Sequence, residues 1–75
     1  MPTQYDLTNA QKAEVLISHL KTLSTAKYNA EISLLEENST DEPSQEFING
    51  LNSQISAISA KIAVLEAKLL EVSGQ

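Results

Sequence analysis

His19 is the one histidine of the chain, and no cysteine accompanies it. Its neighbours at helical spacing, three and four residues away, are Val15, Leu16, Thr22 and Leu23. They offer neither a carboxylate to orient an imidazole nor a nucleophile for it to activate. A histidine that borders an apolar stripe is ordinarily a packing residue. Serines are frequent, yet none stands in a nucleophile-elbow pattern such as G-x-S-x-G. The residues predict no enzyme, no cofactor and no small-molecule substrate.

The acids are the second group that could do chemistry. Glu36, Glu37, Asp41, Glu42 and Glu46 place five of the ten acids within eleven residues, and no lysine occurs between Lys27 and Lys61. A calcium loop needs alternating Asp or Asn ligands around a central glycine, and "EENSTDEPSQE" has neither. No metal site is expected. A solvated turn accounts for Asp41, Glu42 and Glu46, but Glu36 and Glu37 fall at the negative end of the helix before it. That conflict makes the five acids a candidate docking surface for a basic protein partner. Asn38-Ser39-Thr40 matches a glycosylation pattern, which reads as chance in a chain without a secretory signal.

The charge balance narrows the partners. Ten acids against five lysines, with no arginine, give −5. Phosphate recognition relies on Arg forks and Lys clusters, so neither nucleic acid nor an anionic membrane surface is an expected partner. No run of about 18 apolar residues occurs, which predicts no membrane span. The start "MPTQYDLTNAQK" lacks the charged and apolar regions of a secretory signal. These features predict a soluble, cytoplasmic protein.

Two helices must position these residues. In the first, Ala13, Leu16, Ile17, Leu20, Leu23, Ala30, Leu34 and Leu35 recur in steps that hold to one side of a 3.6-residue helix. Thr8 and Gln11 form a capping box, so this helix is predicted over about 9–37. Lys27 and Glu31 interrupt its stripe, either snorkelling past the seam, pairing together, or specifying register. A turn follows over about 38–42. Pro43 suits a first helical position, which predicts the second helix over about 43–72.

That second helix carries the strongest pattern. Ile48, Leu51, Ile55, Ile58, Ile62, Leu65, Leu69 and Val72 are spaced 3-4-3-4-3-4-3, which makes four heptads. Ile48, Ile55, Ile62 and Leu69 take position a; Leu51, Ile58, Leu65 and Val72 take d. Asn49-Gly50 is a hairpin-turn dipeptide, but Ile48 and Leu51 stay in phase with everything after them. The helix is predicted to run through. Beside the seam lies a second stripe, Ala57, Ala60, Val64 and Ala67, where small residues would let another helix approach. The alternative is that alanine there only favours helix. Lys61 at g and Glu66 at e have the spacing of an interhelical pair.

With only three aromatic residues, Tyr5, Tyr28 and Phe47, the core must come from Leu, Ile and Ala. The expected fold is a single all-α domain, an antiparallel two-helix hairpin with a coiled-coil-like heptad seam, assembling into a helical bundle. Its helix-packing interface is Leu16, Leu20, Leu23 and Leu34 against the a and d residues. The expected function is a helical interaction or structural protein acting through self-association or a helical protein partner. The alternative is a small acidic regulator or inhibitor, of phage type, that docks on a basic partner through its turn.

Overall fold

A computed structural model of the chain describes residues 6–74, which leaves Tyr5 outside the described residues. Helix α1 spans Asn9–Asn38 and helix α2 spans Gln45–Ser73. At 1.5 Å rise per residue they are about 45 and 44 Å long, and they pack on each other as an antiparallel hairpin. The described residues contain no strand.

Each helix start is held by a hydroxyl. The Thr8 side chain accepts the Gln11 N–H at 3.1 Å, and the Gln11 amide oxygen accepts the Thr8 N–H at 2.9 Å. This is the capping box expected from the sequence, with two otherwise unpaired donors satisfied reciprocally. Helix α2 starts at Gln45 rather than at Pro43, two residues later than predicted. Ser44 is the reason. It adopts extended backbone, its hydroxyl accepts the Phe47 N–H at 3.3 Å, and its carbonyl accepts the Ile48 N–H at 3.0 Å. A serine cap supplies an acceptor that a proline start cannot, so Pro43 lies one residue before the cap.

The end of α1 comes one residue later than expected, at Asn38. Its last carbonyls are taken up by two hydroxyls: Ser39 donates to the Glu36 carbonyl at 2.8 Å, and Thr40 donates to the Glu37 carbonyl at 2.9 Å. Ser39 and Thr40 thus finish the helix without a glycine.

Helix α2 runs unbroken through Asn49-Gly50. Gly50 has no positive φ, and a Cβ built on it meets nothing within 4 Å. Asn49 is occupied along the helix surface, accepting from the Gln45 amide at 2.9 Å. A turn dipeptide is overridden by the apolar register around it.

The core is thin. Among the described residues, Ala30, Leu51, Ile58 and Val72 are the buried apolar ones, and no polar side chain joins them. Three of the four d positions are buried, whereas Leu65 and all the a positions are half-buried. Leu16, Leu20, Leu23 and Leu34 of α1 are also half-buried. One helix can cover only one side of another, so a seam built for burial on both flanks stays partly open. Lys27 and Glu31 lie half-buried at this interface, and no ion pair joins them.

Candidate interaction site

The open flank of the seam forms a groove. A hollow of about 600 Å³ is lined by Ser18, His19, Thr22 and Leu23 of α1 and by Ala60, Lys61, Val64 and Leu65 of α2. The lining climbs α1 through 18, 19, 22 and 23 while it descends α2 through 65, 64, 61 and 60. The two stretches run in opposite directions, and the inward residues of the two helices, Leu16 and Leu69, Leu20 and Leu65, and Leu34 and Leu51, have numbers that add to 85. The midpoint of that register falls inside the 39–44 link, as an antiparallel hairpin requires.

His19 is exposed on a groove wall whose other polar residues are Ser18, Thr22 and Lys61. Thr22 next to it donates its hydroxyl to the Ser18 carbonyl at 3.2 Å, which uses that polar group within its own helix. With Leu23 and Leu65 below and Ala60 and Val64 alongside, the hollow suits a packed side chain. Among the described residues, no group of three His, Asp or Glu side chains is placed to hold a metal ion.

A second hollow, about 500 Å³, sits nearer the turn and is lined by Ser44, Glu46, Phe47, Gly50, Leu51 and Gln54. Its α2 lining repeats that of the first. Glu46 and Ala60, Phe47 and Lys61, Gly50 and Val64, and Leu51 and Leu65 are each 14 residues apart. Two heptads return a coiled-coil helix to the same face, so both hollows open along one edge of α2. Sequence reading found part of this edge and missed the rest. Ala60 and Val64 of the alanine stripe line the groove, with Ala57 and Ala67 exposed on the same side of α2. Phe47 and Gly50 are located on this edge by their 14-residue offsets from Lys61 and Val64, and Gln54 joins them in the lining with no such counterpart. The α1 wall could not be read at all without the interhelical register.

The acidic residues divide into two kinds. Glu36, Asp41, Glu42 and Glu46 are exposed. Glu37 is half-buried, and its carboxylate accepts the Ser44 N–H at 2.7 Å. Its place at the C-terminus of α1, which looked unfavourable, is explained by the start of α2 beside it. The carboxylate sits at the positive end of the following helix and satisfies a donor there. Lys68 pairs with Glu71 at 3.4 Å on the solvent side of α2. Lys61 and Glu66 are both exposed, free to reach outward.

Apolar side chains stand out of the hairpin on both helices. Leu70 is 75% exposed, Leu35 and Val64 are 67% exposed, and Tyr28 is 63% exposed. No described helix is long and apolar enough to cross a membrane. No protein-family model matches this sequence, and no curated protein or solved structure matches it either.

Proposed function

We propose that this chain is a non-enzymatic helical interaction protein, cytoplasmic in location, that works by self-association and helix-face packing within a larger assembly. The observation that carries this reading is the surface the hairpin leaves uncovered. A compact monomer of 8.1 kDa exposes about 4,500 Å², whereas this chain exposes 5746 Å². The excess of about 1,200 Å² exceeds what each partner buries in a standard stable interface, about 800 Å². Packing a further helix against the open flank supplies the missing burial without any change of fold.

Sedimentation at micromolar concentration tests the reading. A dimer or larger species is the expected result, and a fully helical, thermally stable monomer of 8.1 kDa overturns it.

A second reading, an acidic regulator docking on a basic protein, is favoured by the exposure of Glu36, Asp41, Glu42 and Glu46 together. It predicts a small species whose partner binding weakens steeply with salt. Self-association through an apolar flank is far less sensitive to salt, so one titration separates the two.

A further inference from the structure

We infer that the groove along α2 is filled by α2 of a second copy of this chain, running antiparallel, about a two-fold axis beside Ala57. This rests on the self-association reading and adds the occupant, its direction and its register.

Direction comes from charge. Residues 28–60, the turn half of the rod, carry six acids and no lysine, a formal −6. The remaining residues carry four acids and five lysines, a formal +1, which together give the chain total of −5. Parallel packing sets two −6 halves side by side. Antiparallel packing sets each −6 half against a +1 half, the complementary choice.

Register comes from shape. For antiparallel helices related by a two-fold at Ala57, facing residues have numbers that add to 114. Val64, 67% exposed, then faces Gly50, where a Cβ would meet nothing within 4 Å and a 500 Å³ hollow stands open. Phe47, 49% exposed, faces Ala67. Gln54 faces Ala60, and Ala57 faces its own copy on the axis. Each large side chain meets a small one, the alternation that lets two helix faces interdigitate. Lys68, exposed beside Glu71 in its own helix, faces Glu46 of the other copy, an acid from the turn half against a lysine from the other. The same centre lets residues 45–69 of both copies overlap, nearly the whole of α2.

The chain has no cysteine, so one introduced thiol reports one position. Under mild oxidation at micromolar concentration, Ala57→Cys is expected to cross-link to itself. Gly50→Cys and Val64→Cys are each expected to remain uncross-linked alone, but to give a mixed disulfide when the two variants are combined. Bridging needs Cβ atoms about 3.5–4.5 Å apart, so direction is read sharply. Gly50→Leu is expected to weaken association at least tenfold with helicity retained, because its Cβ meets nothing within 4 Å inside the hairpin while the rest of the side chain fills the hollow that Val64 of the second copy would enter. Efficient self-cross-linking of Gly50→Cys and of Val64→Cys means a parallel dimer and overturns the inference. A dimer in which neither Ala57→Cys nor the mixed pair cross-links overturns the proposed face while leaving self-association standing. A monomeric parent chain overturns both.

Discussion

The carboxylate of Glu37, in the last turn of α1, accepts the backbone N–H of Ser44, the cap of α2, at 2.7 Å. A helix end and a helix start are thereby joined across the link, while the Ser44 hydroxyl serves Phe47 within α2.

Replacing Glu37 with Ala should lower stability by about 1 kcal/mol, as expected for losing a charge-assisted bond at a partly exposed site. Glu36→Ala, one residue away and without that bond, should change stability by less than about 0.5 kcal/mol. Urea unfolding of the two variants checks the contrast.

Ser44→Ala removes the cap acceptor and should cost about 1 kcal/mol. Pro43→Ala should cost much less, because Pro43 lies outside α2. Equal losses in thermal unfolding would mean that α2 begins at the proline.

Gly50→Ala should raise stability by several tenths of a kcal/mol, up to about 1, because alanine is the better helix former. The added methyl meets no atom of the chain within 4 Å, and the hollow beside it has room for one carbon. Chemical denaturation is the measurement, and a marked loss would mean that this glycine serves a close contact.

Ile58 is 8% exposed at the centre of the seam, with Ile55 half-buried beside it. Ile55→Asp together with Ile58→Asp puts two charges into the thin core and should abolish both helicity and assembly. Circular dichroism and sedimentation on the same sample report the two losses.

Converting Glu36, Asp41 and Glu42 to Gln or Asn should leave helicity nearly unchanged, since none makes a side-chain bond that holds the turn. If a basic protein docks there, its affinity should fall and its salt dependence flatten. A partner indifferent to all three changes does not use the turn.

What could be read from the sequence was what lies within one helix. The a and d repeat, the passage through Gly50 and the Thr8–Gln11 box depend on residues three and four apart, and a sequence displays those directly. The expected start of α2 at Pro43 follows one local rule where a second also applies. Pro43 fits a first helical position and Ser44 fits a cap, and the Glu37 carboxylate seven residues earlier supports the cap. The groove failed to appear for a related reason. Its α2 wall follows a repeat, but Ser18, His19 and Thr22 join it only through the register between helices, which the link sets. Glu37 is unfavourable within α1 alone, and its partner, the Ser44 N–H, lies seven residues on, beyond the reach of a pattern within one helix.

That register also orders events in time. Inward residues at one level add to 85, so Leu34 and Leu51 come level after closing a loop of 17 residues, whereas Ala13 and Val72 come level across 59. Closing the longer loop first costs about 1 kcal/mol more chain entropy. Each level zipped near the turn shortens the loop that remains for the next. Folding is therefore expected to begin at the 39–44 link and travel outward, and unfolding is expected to begin by fraying at Ala13 and Val72. Weakening Glu37 or Ser44 should slow folding, while truncating Val72 should chiefly hasten unfolding.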